Sequence, residues 1–183
     1  MPASSPQAPA LQVSRWFNTD NDLDLPSLMG KVVVIEAFQM LCPGCVSHGL
    51  PLAQAIHDTF PKDNVSVIGL HSVFEHHAAM TPVSLEAFLY EYRLTFPVGV
   101  DQAGEAGMPK TMQSYQMRGT PSLLLIDPAG RLRAHYFGQV SELRIGAEIA
   151  TLMAETQQDF ESSGPRDTHE ALCDDKGCPV SKG

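Results

Sequence analysis

The chain has 183 residues, enough for one well-packed domain and a short tail. Its formal net charge is −9, from 12 Lys and Arg against 21 Asp and Glu, and it has no basic cluster to neutralise phosphates, so we expect neither a nucleic-acid partner nor docking on an anionic membrane. No apolar run approaches the roughly 20 residues of a spanning helix, and we expect no membrane insertion.

The first ten residues are rich in Pro, Ala and Ser and lack the basic and apolar segments of a signal peptide. We therefore predict a disordered lead-in over residues 1–10 and a cytoplasmic protein, periplasmic only if a signal has been removed. In the cytoplasm, closely spaced cysteines are more often catalytic or metal-binding than structural.

Strands and helices alternate along the next 150 residues. Runs of apolar and β-branched residues predict six strands. They cover residues 11–17, 31–38, 65–70, 96–100, 122–126 and 131–137. Asp127-Pro128-Ala129-Gly130 has the composition of a type I turn, and it makes the last two strands an antiparallel hairpin.

Four helices are predicted between these strands. They cover residues 43–60, 81–94, 108–117 and a segment that begins after Ser141. Pro51 predicts a kink or break in the first of them. Thr81 and Pro82 have the residue types of a helix cap and first helical position. The last helix is predicted to bury one face, which carries Ile145, Ile149, Leu152 and Met153.

Strand–helix–strand units imply parallel pairing, to which the hairpin adds antiparallel strands. The predicted class is therefore α/β, a mixed central sheet with helices on both faces. We assign residues 11–160 to this domain. Residues 161–183 form a polar tail, predicted to be flexible, that holds Cys173 and Cys178 in a C-x4-C spacing.

A C-x-x-C motif follows the strand 31–38 and opens the next helix; its residues are Cys42, Pro43, Gly44 and Cys45. A helix N-terminus stabilises a thiolate, and thiolates are the reactive form of cysteine. Pro43 suits the first helical turn, and Gly44 leaves room for a bulky partner. This position of a C-x-x-C motif indicates a redox pair, with Cys45 one turn beyond Cys42.

Glu36 lies inside the same apolar strand, where an ionised carboxylate is costly to bury. Burial would raise its pKa and allow it to accept the proton of Cys45. The alternative is that Glu36 faces solvent on an edge strand.

Gly119, Thr120 and Pro121 stand directly before the strand 122–126. If the bond between Thr120 and Pro121 is cis, the turn presents the backbone N–H and C=O of Thr120. Beside Cys42, these groups could pair with an extended substrate.

These features together resemble the thioredoxin-like superfamily, in its TlpA/ResA-type or AhpC/TSA-like redoxin branch, over roughly residues 10–158. The helical insertion 81–94 and the phrase FPVGVDQAGE…YQMRGTPSLLLIDPAGRLR carry the resemblance to that branch. It implies a thioredoxin fold and thiol–disulfide exchange with protein partners, with no cofactor and an upstream dithiol reductant. By resemblance, Cys42 attacks, Cys45 resolves, Glu36 is the buried acid and Pro121 is the cis-proline. We expect a monomer or weak dimer.

The chain departs from the family at two positions near the motif. Leu41 stands where the family usually has Trp before the first cysteine, which alters the surface around the disulfide. His48 stands three residues after the second cysteine, where TlpA/ResA-like proteins often have an acid. His48 is either a second proton carrier or a polar surface residue.

Three alternatives stay open at this stage. A peroxiredoxin-like peroxidase needs Thr three residues before its cysteine and Pro four residues earlier, where this chain has Gln39 and Ile35. A copper or zinc module could join the Cys42–Cys45 pair to His71, His76 or His77. Cys173 and Cys178 are either a second dithiol that exchanges electrons with the first pair or a local disulfide.

Overall fold

The computed structural model describes residues 5–105 and 107–163, with side chains described up to residue 155. Six strands and four α-helices alternate along this part of the chain. The strands are β1 (Val13–Phe17), β2 (Val32–Phe38), β3 (Val65–His71), β4 (Val98–Asp101), β5 (Ser122–Ile126) and β6 (Leu132–Phe137). The helices are α1 (Leu50–Thr59), α2 (Pro82–Glu91), α3 (Lys110–Ser114) and α4 (Glu142–Ser163).

The strands form one mixed sheet in the order β1-β4-β3-β2-β5-β6. β3 pairs in parallel with both β2 and β4, whereas β1, β5 and β6 pair antiparallel with their neighbours. β2 lies between β3 and β5, and all seven of its residues are buried. The strand that leads to Cys42 is therefore held on both edges and covered on both faces.

Helices cover both faces of the sheet, which confirms the predicted fold class. Side chains from α1, α2 and α4 pack on one face with Val34 and Phe38 of β2. Side chains from α3 and from a 3₁₀ turn (Pro26–Leu28) pack on the other face with Val33 and Ile35. Glu36 is two residues from both Val34 and Phe38. Its side chain therefore points to the same face of the sheet as theirs, the face that carries α1 and α4.

The start of α2 follows its predicted capping. Thr81 Oγ1 accepts a hydrogen bond from the backbone N–H of Ser84 at 3.3 Å, and Pro82 is the first helical residue. This helix connects β3 to β4 and forms the predicted helical insertion.

The irregularity expected near Pro51 is a π-helical turn, Cys45–Gly49, immediately before α1. Pro51 has no N–H with which to bond the carbonyl of Ser47, so the regular α pattern is interrupted. The N–H of Leu50 instead reaches the carbonyl of Cys45, five residues back.

Several predicted boundaries are too wide. β1 begins at Val13 rather than residue 11, β4 at Val98 rather than 96, and α3 is half the predicted length. Residues 6–9, which belong to the predicted lead-in, make hydrogen bonds with the rest of the domain. The N–H of Leu132 bonds the carbonyl of Pro6, that of Ala8 bonds Gly130, and the Tyr115 hydroxyl bonds Pro9 at 2.6 Å. The turn between β5 and β6 holds this segment in place.

No helix within the described residues is both long and apolar enough to cross a membrane. Cys173 and Cys178 lie outside the described residues, as does the tail that holds them.

Candidate active site

Cys42 and Cys45 form a disulfide at the end of β2, with their Cα atoms 5.2 Å apart. Cys45 is completely buried, whereas Cys42 is partly exposed. The backbone N–H of Cys45 donates a hydrogen bond to Cys42 Sγ at 3.2 Å. A partner can thus reach only the first sulfur, and an N–H group is in place to stabilise negative charge on it.

The Thr120–Pro121 peptide bond is cis. The carbonyl oxygen of Thr120 lies 3.6 Å from Cys42 Sγ. A Cβ atom on Gly44 would stand 3.3 Å from Pro121 Cδ, so the glycine and the proline ring are neighbours. The tertiary structure therefore brings the backbone of Thr120 beside the accessible sulfur, together with Pro43, Gly44 and Pro121.

Glu36 is 1 % exposed, which confirms its expected burial. Its Oε1 has no hydrogen-bond partner within the described structure. Burial raises its pKa well above the ordinary value of 4.5, since no cation or hydrogen bond compensates for lost hydration. The side chain is a carboxyl group that holds its proton far more firmly than an exposed one.

Gly49, which the sequence analysis did not single out, makes space for this carboxyl group. A Cβ atom on Gly49 would overlap Glu36 Oε1 and stand 3.1 Å from Pro121 Cβ. Only glycine lets the π-helical turn pass between the acid and the cis-proline. A glycine inside a predicted helix is itself a signal, because it lowers helix stability unless close packing requires it.

Phe137 and Arg118 also escaped the sequence analysis. Phe137 is 49 % exposed and packs on Gly119, where a Cβ atom would come within 2.9 Å of its ring. The Arg118 guanidinium lies 5.0 Å from the centre of the same ring. With Leu41, which is 58 % exposed, they give this end of the molecule both apolar and cationic surface.

The histidines proposed as metal ligands do not join the cysteines. His71 is buried against Phe38, with ring centres 5.3 Å apart. Within the part of the chain that the structure describes, neither of its ring nitrogens has a hydrogen-bond partner. Burial lowers its pKa to about 4. His76 and His77 are exposed in the following loop. Across residues 5–105 and 107–163, no group of three or more His, Cys, Asp or Glu could hold a metal ion.

The positions that a peroxidase would use serve the fold. Gln39 is buried, and its Oε1 accepts a hydrogen bond from the N–H of Phe74 at 3.2 Å, which ties the loop after β3 to the end of β2. Ile35 packs on the sheet face opposite Glu36. Neither contact provides a group that activates a peroxide.

Residues 5–135 match the family model described as AhpC/TSA family. The chain belongs to the AhpC/TSA family. Its structure is similar to that of a thioredoxin-like superfamily protein at 68% identity, with a TM-score of 0.80 and coverage of 81% of this chain and 97% of the other. It is also similar to a thiol-disulfide isomerase from Corynebacterium glutamicum at 47% identity and a TM-score of 0.79, covering 82% and 97%.

Among curated proteins, the chain is 27% identical over 127 residues to NHL repeat-containing protein 2 of Homo sapiens, a match that covers 68% of this chain. It spans 16% of the length of that relative. For this AhpC/TSA family member, the expected thioredoxin fold is confirmed, and the structural relative at 47% identity is named a thiol-disulfide isomerase.

Proposed function

We propose that the protein exchanges electrons with protein thiols and disulfides through the Cys42–Cys45 pair. The decisive observation is that an accessible sulfur is bonded to a buried one, with the Thr120 carbonyl oxygen 3.6 Å from the accessible sulfur. A separate dithiol donor is proposed as the upstream reductant. The oligomeric state, a monomer or weak dimer, stays a prediction, and analytical ultracentrifugation measures it.

The geometry supports a role for each residue in the reduction of a partner disulfide. The Cys42 thiolate attacks one partner sulfur, so that a mixed disulfide forms and the partner's other sulfur leaves as a thiolate. Cys45 then gives its proton to Glu36 and attacks Cys42 Sγ. The Cys42–Cys45 bond forms, the partner's remaining thiolate leaves, and two electrons have moved to the partner.

The backbone of Thr120 positions the partner chain in this scheme. Its carbonyl lies beside Cys42 Sγ, where it can accept an N–H from an extended segment. Gly44 and Pro121 leave the approach narrow but open, and the exposed Pro43 forms part of the same rim.

Reduction of insulin with dithiothreitol as the electron source tests the proposal. Wild type should accelerate it, Cys42→Ser should abolish the acceleration, and Cys45→Ala should accumulate a mixed disulfide through Cys42. Cys173→Ser is the matched control for loss of one thiol outside the pair. Full activity of Cys42→Ser would refute the proposal, and consumption of hydrogen peroxide without any dithiol exchange would favour the peroxidase alternative.

The tail cysteines have two proposed roles. Either Cys173 and Cys178 form a second dithiol that exchanges with Cys42–Cys45, or they close a local disulfide. Peptide mapping under graded reduction separates these roles. A mixed disulfide between the tail and Cys42 supports exchange, whereas a Cys173–Cys178 bond that is indifferent to Cys42→Ser supports the local disulfide.

A further inference from the structure

A pocket of about 370 Å³ lies between the helical segment that follows Cys42 and the start of α4. The residues that line it include Glu36, Ser47, His48, Gly49 and Glu142. Glu36 is buried, whereas Ser47, His48 and Glu142 are exposed. The pocket therefore joins the buried acid to solvent, and it is large enough for several water molecules.

Glu36 needs such a connection. Its Oε1 has no partner among the described residues, so no protein group is hydrogen-bonded there to take its proton. Because burial raises its pKa, the Glu36 carboxyl group must release its own proton before it can accept that of Cys45, in the first closure as in every later one. The pocket is a route by which that release can occur.

The hydrogen bonds of Ser47 define the state of His48. Ser47 Oγ lies 2.7 Å from the carbonyl oxygen of Pro43 and 2.7 Å from His48 Nδ1. The Pro43 carbonyl can only accept, so the single hydroxyl hydrogen of Ser47 goes to it. In the neutral ring His48 Nδ1 must then donate its N–H to Ser47, which leaves Nε2 as the free proton acceptor.

We propose that His48 carries the proton of Glu36 between the pocket and solvent, with Nε2 as the accepting atom. His48 thus acts through Glu36 and touches neither substrate nor sulfur in this role. The inference rests on the proposed function, because it supplies the exit for the proton that Cys45 gives to Glu36. No further oxidant or reductant is required, since only a proton moves.

The charged groups that face the pocket are few. Glu36 comes from β2, His48 from the π-helical turn and Glu142 from the start of α4, and no Lys or Arg is among the lining residues. Glu142 is the other carboxylate that could accept the proton. Glu142→Gln therefore serves as a separate variant in the test.

The test uses one half-reaction that needs no protein partner. Reduced full-length protein is mixed with oxidised glutathione, and formation of the Cys42–Cys45 disulfide is followed by acid quenching and mass spectrometry from pH 5 to pH 8. The variants are His48→Gln, His48→Ala and Glu142→Gln. His77→Gln is the matched control, because His77 is an exposed histidine that does not line the pocket. Alkylation of Cys42 by iodoacetamide reports whether the site is intact.

We expect His48→Gln to slow ring closure about tenfold near pH 6.5 and to change its pH profile, with Cys42 alkylation unchanged. Added imidazole should restore His48→Ala, and His48→Gln should have no further effect in a Glu36→Gln background. Two results would overturn the inference. One is closure of the disulfide by His48→Gln at the wild-type rate; the other is an equal slowing of closure by His48→Gln in the wild-type and Glu36→Gln backgrounds. Failure of the proposed function would appear differently, as normal ring closure without insulin reduction.

Discussion

At the scale of single residues, Glu36 lies in surroundings that are unusual for an acid. Its carboxyl group lies in a strand that is buried along its whole length, and Oε1 has no hydrogen-bond partner among the described residues. The pKa is raised because burial removes hydration and nothing replaces it. A carboxyl group with a raised pKa suits the proposed role of accepting the Cys45 proton.

Glu36→Gln should keep the shape of the side chain and remove the proton acceptor. We expect closure of the Cys42–Cys45 disulfide from the glutathione mixed disulfide to slow by at least about tenfold at pH 7. Alkylation of Cys42 should stay at the wild-type rate, since Cys42 does not depend on this acid for its first step. Rapid-quench kinetics give both rates. Glu91→Gln, on the exposed surface, is the control, and closure of Glu36→Gln at the wild-type rate would contradict the assigned role.

At the scale of elements, the π-helical turn Cys45–Gly49 sets the geometry of the site. It carries the buried cysteine at one end and Gly49 at the other, between Glu36 and Pro121. Pro51 interrupts the α pattern four residues after Ser47, which explains why the turn is wide there. The turn, the acid and the cis-proline therefore depend on one another.

Gly49→Ala tests this dependence. The added Cβ would overlap Glu36 Oε1, so we expect a loss of about 1–3 kcal/mol in the free energy of unfolding. We expect this loss of stability although alanine, within a helix, is more favourable than glycine by about 1 kcal/mol. Urea unfolding measures the effect.

A double-mutant cycle identifies the cause of that loss. In a Glu36→Ala background most of the cost should disappear, because the overlapping atom is gone. Gly146→Ala, in α4 where an added Cβ meets no atom within 4 Å, is the control and should not destabilise the protein. A full cost of Gly49→Ala in the Glu36→Ala background would show that another contact is responsible.

At the scale of the whole molecule, two buried groups give stability opposite dependences on pH. The folded-state pKa of Glu36 lies above 4.5, so its contribution is greatest below that pH and falls as pH rises. The folded-state pKa of His71 is about 4, against an ordinary 6.5, so its contribution is full above 6.5 and is lost as pH falls toward 4. The two slopes oppose each other between pH 4.5 and 6.5.

His71→Leu should remove one of these slopes. Its unpartnered ring nitrogens make a neutral apolar replacement tolerable. Between pH 4 and 6.5 wild type gains up to about 3 kcal/mol from His71, and the variant should lack this gain, so that its stability falls with rising pH. Urea unfolding at pH 4.5 and 6.5 gives the comparison. His77→Leu is the control, and an unchanged pH dependence in His71→Leu would contradict the account.

The sequence by itself determined the fold class, the order of the elements and the redox motif. Buried strands, a capped α2 and a Pro-containing turn are local patterns, and each is written in a few adjacent residues. Burial of Glu36 was predictable for the same reason, because a single acid among six apolar residues of one strand has few exposed positions to occupy. Element boundaries were less certain, as the shorter β1, β4 and α3 show.

Only the tertiary structure decided what meets at the site. Thr120 is 78 residues from Cys42, and no local pattern states that its carbonyl lies beside that sulfur or that its bond to Pro121 is cis. Gly49 and the pocket that joins Glu36 to His48 depend on how the helices pack against β2, and Phe137 depends on the approach of β6 to Gly119. The physical reason is that propensity and periodicity act over a few residues, whereas burial, close approach and shared pockets arise from distant segments in contact.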